Sequence, residues 1–204
     1  MSTNGNLKAA AMPSVEIYTD GGCEPNPGPG GYGVVLIHPR KRAEVSGGFR
    51  LTTNNRMEIF AAIAGLELLR QPCKVTLYSD SQYLVKAMTE AWVATWKRKG
   101  WWRTRTERPE NVDLWQRLDA LCQTHQVEFR WVRGHAGKPK NERCDQLSIA
   151  ALRQAESSGG RRLREQTRNR RCPPRHAGRR RVRQMFNTRQ QAEGQMEAEP
   201  GLLL

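Results

Sequence analysis

Three strand-like runs joined by short connections precede any helical periodicity, and this order most constrains the fold. Val15, Ile17 and Thr19 alternate with Glu16, Tyr18 and Asp20, and further β-type runs cover 32–37 and 45–51. Gly21–Gly22 is expected to break the first strand, and the Gly/Pro-rich stretch 25–33 to form a turn. Helical patterns then alternate with strands. Residues 56–70 form a helix that is apolar nearly all round (Met57, Ile59, Phe60, Ala61, Ile63, Ala64, Leu68), as expected of a helix buried against a sheet. A strand follows at 74–79, then a helix from near Ser81 and a short helix at 91–99 ending at Gly100. The helix at 112–124 aligns Leu114, Trp115, Leu118 and Leu121. A fifth strand covers 127–132 and a last helix 141–155. Short links make antiparallel neighbours and helical crossovers make parallel ones, so the expectation is a five-stranded mixed sheet in one layered α/β domain.

Charge divides the chain. Of 34 Lys+Arg and 20 Asp+Glu (net +14), 12 Arg and 4 Glu fall in residues 157–204, leaving +6 on 1–156 and +8 on the last 48 residues. Ser157–Ser158–Gly159–Gly160 reads as a linker. Beyond it Arg pairs and triplets recur with few apolar residues, so 157–204 is expected to be a disordered Arg-rich tail. Residues 1–13 read as a flexible N-terminus without the pattern of a secretory signal. No apolar run reaches ~18 residues, which excludes a spanning helix. Five cysteines, none in a C-x-x-C pair, disfavour a disulfide framework or zinc site and make a reducing cytoplasm the expected location. The basic excess points to nucleic acid as partner.

Four carboxylates stand at suggestive places. Asp20 ends the first strand, Asp80 ends the fourth, Glu58 lies in the first turn of the first helix, and Asp145 lies near the start of the last. Singly each has an ordinary explanation: a turn before glycine, a capping box with Asn55, a helix cap, a helix-dipole partner. If the first and fourth strands are neighbours, however, all four reach one rim of the sheet. Clustered acids repel, and divalent cations relieve that cost. An all-oxygen donor set favours Mg²⁺ or Mn²⁺ over zinc.

The runs Tyr18–Thr19–Asp20–Gly21, Asn26–Pro27–Gly28–Pro29–Gly30–Gly31–Tyr32–Gly33, Thr52–Thr53–Asn54–Asn55–Arg56–Met57–Glu58, Ser79–Asp80–Ser81–Gln82–Tyr83, Asn111–Val112–Asp113–Leu114–Trp115, Gly134–His135–Ala136–Gly137 and Asn141–Glu142–Arg143–Cys144–Asp145 resemble those of bacterial type 1 ribonucleases H. The resemblance covers about residues 14–152. It implies a ribonuclease H-like fold with three antiparallel strands followed by parallel ones, and a catalytic domain at 14–156. It also implies an endonuclease that hydrolyses the RNA strand of RNA–DNA hybrids, leaving 5′-phosphate and 3′-hydroxyl ends. Asp20, Glu58, Asp80 and Asp145 would hold two Mg²⁺ ions, with Mn²⁺ able to substitute, and His135 would assist water movement or product release. The implied enzyme acts as a monomer with no obligate protein partner and no membrane.

The same resemblance places Asn26, Asn54, Asn55 and Gln82 along the minor groove, Thr53 near a DNA phosphate, and the Cys23 main chain against RNA. Recognition must include the 2′-hydroxyl, which distinguishes RNA from DNA. The segment 92–105 mixes tryptophans with cations and coincides with the family's basic handle, making Trp96, Lys97, Arg98 and Lys99 candidates for gripping the DNA strand. Helical spacing of Trp92 and Trp96 also suits inward packing, with the cations facing out. Pro25 removes a backbone donor from the loop, and Gln146 stands beside the last acid where the family usually has another acid. A non-catalytic nucleic-acid binder on the same fold and another metal-dependent nuclease of that fold, integrase- or transposase-like, are the competing readings. The four intact acids disfavour the first, and the handle with its Asn/Gln set disfavours the second. The tail lies outside the resemblance and is either an auxiliary nucleic-acid arm or a dispensable extension.

Overall fold

In a computed structural model, residues 12–134 and 138–157 are described in full and 161–162 by their backbone. Chain order is β1 (Ser14–Cys23), β2 (Gly28–His38), β3 (Lys41–Thr52), α1 (Asn54–Glu67), β4 (Lys74–Ser79), α2 (Gln82–Thr89), α3 (Trp92–Arg98), α4 (Val112–Thr124), β5 (Gln126–Trp131), α5 (Pro139–Ser157) and β6 (Arg161–Arg162). The sheet runs β5-β4-β1-β2-β3-β6. β1, β2 and β3 pair antiparallel, while β4 and β5 add in parallel on the other side of β1. The expected mixed sheet of five strands is present. The two-residue β6 adds in parallel to the β3 edge. Ser157 closes α5 and Arg161–Arg162 pair with β3, so the disorder expected from 157 onward does not hold at these residues. The expectations for 1–11, 158–160 and 163–204 lie outside the described residues.

Alternation along the strands sorts the two faces. Ile17, Val34 and Leu36 meet Ile59, Ile63 and Leu66 of α1 and Leu114, Trp115 and Leu118 of α4 in the main core. Several of these side chains are fully buried, each stabilising the fold by roughly 1.5–3 kcal/mol. Helix α5 covers the opposite face over a smaller cluster of Tyr18, Val35 and Cys144.

Four boundary expectations are corrected. β1 continues through Gly21–Gly22 to Cys23, and β2 begins at Gly28, so most of the glycines expected in a turn are strand residues. They serve close packing: a Cβ on Gly31 would lie 2.2 Å from the Ser148 carbonyl oxygen of α5. Helix α1 begins at Asn54 because Thr53 is its cap, with the Thr53 hydroxyl accepting from the Arg56 amide at 3.4 Å. It ends at Glu67, short of Arg70.

Candidate active site

The parallel register pairs Thr19 with Ser79, so Asp20 and Asp80 leave neighbouring strands at the same end of the sheet. Two glycines beside Asp20 bring in the helices that carry the other two acids. Gly21 follows it in the chain, and a Cβ there would lie 2.4 Å from the Met57 carbonyl carbon of α1. Gly33 faces Asp20 across the β1–β2 ladder, and a Cβ there would lie 2.2 Å from the Cys144 carbonyl oxygen of α5. A side chain at either glycine would push away the turn bearing Glu58 or Asp145.

The ordinary explanations for these acids lose ground. Ser81, rather than Asp80, caps α2. Glu58 is the fifth residue of α1 and Asp145 the seventh of α5, so both lie beyond the first turn where capping and helix-dipole effects act. This corrects the expected first-turn placement of Glu58.

Three of the acids each receive a neutral side-chain donor. The Ser148 hydroxyl donates to Asp20 Oδ2 at 2.6 Å, the Ser81 hydroxyl to Glu58 Oε2, and the Asn141 amide to Asp80 Oδ2 at 3.3 Å. The indole N–H of Trp131 also donates to the Asp80 carbonyl oxygen at 3.0 Å. Burial pushes the Asp20 carboxyl up to about 6; the Ser148 hydrogen bond opposes that rise, and the Asp80 and Asp145 charges add to it. Burial likewise raises Glu58, against the Ser81 hydrogen bond and with help from Asp80 and Asp20. Among the described residues no three acidic, histidine or cysteine side chains close into a ready-made metal site. What the rim offers is a set of oxygen donors, partly desolvated and mutually repelling, which suits hard divalent cations.

The substrate candidates fall into two groups. Cys23, Asn26 and Asn54 form one network at the start of α1: the Cys23 amide donates to Asn54 Oδ1 at 2.6 Å, and the Asn54 amide to Asn26 Oδ1 at 3.3 Å. Thr53 and Asn55 adjoin it, and Gln82 opens α2 on the surface next to Asp80. In the handle, Trp96 faces inward at 8% exposure and packs against Trp115 with ring centroids 6.0 Å apart. It anchors the helix, while Lys97, Arg98 and Lys99 point outward. His135 lies outside the described residues.

Sequence reasoning missed Ser148 and Ser81 as carboxylate partners. The available signal for Ser148 was its position three residues after Asp145, which places both on one side of a helix.

The sequence profile of the RNase H family matches residues 12–153. The chain belongs to the ribonuclease H family. A Ribonuclease H of Desulforamulus reducens is 53% identical over 154 residues, covering 76% of this chain and 95% of the relative. Among solved structures, LC9-RNase H1, described as a type 1 RNase H with the type 2 active-site motif, superposes with a TM-score of 0.64 at 34% identity. The match covers 73% of this chain and 76% of that one. LC11-RNase H1, solved in complex with an RNA/DNA hybrid, gives 0.55 at 26% identity, covering 70% and 99%. This ribonuclease H therefore shares both the fold and most of its length with its bacterial relatives.

Proposed function

We propose that Asp20, Glu58, Asp80 and Asp145 hold two divalent cations, Mg²⁺ or in substitution Mn²⁺, at the rim of the sheet. As a ribonuclease H the protein is a hydrolase that cuts RNA within RNA–DNA hybrids, and a solved neighbour was captured with such a hybrid. The observation that carries the metal assignment is the convergence of four acids from β1, α1, β4 and α5, with burial raising two of them. Bound cations would activate the attacking water and stabilise the leaving 3′ oxygen. The chain's own residues hold and orient: the acids supply oxygen ligands, and Ser148, Ser81 and Asn141 fix three of them in place. Cleavage on this plan is endonucleolytic and leaves 5′-phosphate and 3′-hydroxyl ends.

Cys23, Asn26, Thr53, Asn54 and Asn55 at the start of α1, with Gln82 at the start of α2, suit the hybrid's minor groove and DNA phosphate. Lys97, Arg98 and Lys99 supply the cationic surface of the handle, and His135 takes the accessory proton-handling role. The catalytic unit is 14–156, acting as a monomer, with 157–204 an Arg-rich arm that adds general affinity for nucleic acid. A cytoplasmic location fits the free thiols of Cys23, Cys73, Cys122 and Cys144. No helix among the described residues is long and apolar enough to cross a membrane. The test is cleavage of labelled hybrid, duplex DNA and duplex RNA with Mg²⁺ or with EDTA. Metal-dependent cutting confined to RNA in the hybrid is expected, and cutting of duplex DNA would overturn the reading.

A further inference from the structure

We infer that Ser148 is a positioning residue for the metal site, acting through Asp20 rather than on substrate. The inference rests on the metal-binding assignment above and adds a residue outside the acid set. Ser148 is 3% exposed and sits on the face of α5 turned toward the sheet. Its hydroxyl lies 2.6 Å from Asp20 Oδ2 and 2.9 Å from the Asp145 carbonyl oxygen one turn earlier. One side chain therefore meets both the acid carried by β1 and the helical turn that presents Asp145.

A serine in a helix interior commonly returns its proton to the preceding turn. Here the Asp20 carboxylate competes for that proton, and a charged acceptor at the shorter distance wins. The bond restricts rotation of the Asp20 carboxylate before any cation arrives. The Gly21 amide also donates to this carboxylate, and with two acceptor positions on each oxygen the two bonds still leave Asp20 positions open for ligation. Groups that orient metal ligands in this way commonly contribute ~10–100-fold in metal affinity or activity. The approach that permits the bond comes from β2, where Gly31 and Gly33 let α5 rest directly on the strand.

Ser81 makes the matching bond to Glu58 but also caps α2 through the Leu84 amide at 3.2 Å, so its removal would mix two effects. Ser148 is cleaner, because alanine is the stronger helix former at that position.

The experiment is calorimetric titration of the full chain with Mg²⁺ and with Mn²⁺ in the absence of nucleic acid. It compares the parent, Ser148→Ala and Ser148→Thr, with circular dichroism of each metal-free protein. Ser148→Ala should retain its helical spectrum and bind metal at least tenfold more weakly. Its hybrid cleavage should recover part of the loss as Mg²⁺ is raised, and Ser148→Thr should recover affinity by restoring the hydroxyl. A folded Ser148→Ala that binds within twofold of the parent would overturn the inference. Should the alanine variant fail to fold, the threonine variant decides: parental metal affinity supports the hydroxyl's role, and affinity lost in a folded Thr variant rejects it. Failure of the ribonuclease reading would look different, with the parent binding metal but leaving hybrid uncut.

Discussion

Arg56 of α1 reaches Asp113 of α4 with both terminal nitrogens, at 3.1 and 2.7 Å, and Nη1 also donates to Asn111 Oδ1 at 3.1 Å. The guanidinium side is 6% exposed and the carboxylate 31%. This fork joins the helix bearing Glu58 to the segment just after the handle. Lysine cannot reproduce a planar two-point contact. Arg56→Lys and Arg56→Ala are both expected to destabilise the protein, by roughly 1–2 and 2–4 kcal/mol respectively, the smaller loss reflecting the charge that lysine retains. Urea unfolding of the metal-free protein at neutral pH measures both. Stability of Arg56→Lys equal to that of the parent would show that charge alone matters.

Gly33→Ala tests the close approach of α5. Its Cβ would fall 2.2 Å from the Cys144 carbonyl oxygen, whereas a Cβ on Gly22 meets nothing within 4 Å. Overpacking of this kind costs about 1–3 kcal/mol, and the shift should also move Asp145 away from Asp20. The expected outcome for Gly33→Ala is lower stability with at least a tenfold fall in kcat. Gly22→Ala should melt with the parent.

Asp20 sets a pH dependence with a definite sign. Its carboxyl rises from 3.8 to about 6 on folding, so the folded state binds the proton more tightly than the unfolded chain. The associated stability is complete below 3.8 and is lost as pH climbs to about 6, amounting to roughly 3 kcal/mol at ~1.4 kcal/mol per pH unit. Glu58 is raised in the same direction. In EDTA, Asp20→Asn should flatten this slope and exceed the parent in stability at pH 7 while abolishing cleavage and keeping hybrid binding. Added Mg²⁺ should stabilise the parent and leave the variant little changed. A parent whose metal-free stability is flat between pH 4 and 7 would remove Asp20 from this role.

The handle can be probed through ionic strength. Each cation that neutralises a phosphate contributes ~0.9 to the slope of log K against log salt. Arg98→Ala and Lys99→Ala should each lower the slope by about that amount with kcat unchanged. Lys97 already pairs with Asp119 at 2.7 Å, so Asp119→Ala should release the lysine and tighten hybrid binding. Weaker binding in that variant would place Lys97 outside the contact.

Truncation after Glu156 examines the Arg-rich tail. The shortened chain is expected to cut hybrids but to bind them more weakly at low salt and with a shallower slope, by ~0.9 for each phosphate the arm neutralises. Identical affinity and slope would make the tail dispensable.

Order and type of the main elements were legible because their periodicities are strong. β4 and α4 begin and end where expected, and the parallel placement of β4 beside β1 turns Asp20, inside β1, and Asp80, just after β4, into neighbours. Boundaries near glycine were not legible. Turn propensity describes the local chain, whereas Gly30, Gly31 and Gly33 lie in β2 under close contacts from α1 and α5. Inward packing of Trp96 was one of the two readings its helical spacing allowed, and the contact with Trp115 decides between them. Ser148 shares a helix side with Asp145, but its bond to Asp20 was not legible, since that partner lies 128 residues away and on a strand.

The two faces of the sheet carry different kinds of information. Away from the Gly21–Met57 approach, the α1 side is spaced by large interlocking side chains, so substitutions there change thickness and must compensate one another. Under α5, glycines let main chain rest on main chain, and the separation is set by atoms that no mutation elsewhere alters. The larger core can therefore be repacked while the approach of the Asp145-bearing helix to the strand carrying Asp20 stays fixed by main chain. The part of the protein with the least side chain is the part that keeps its dimensions.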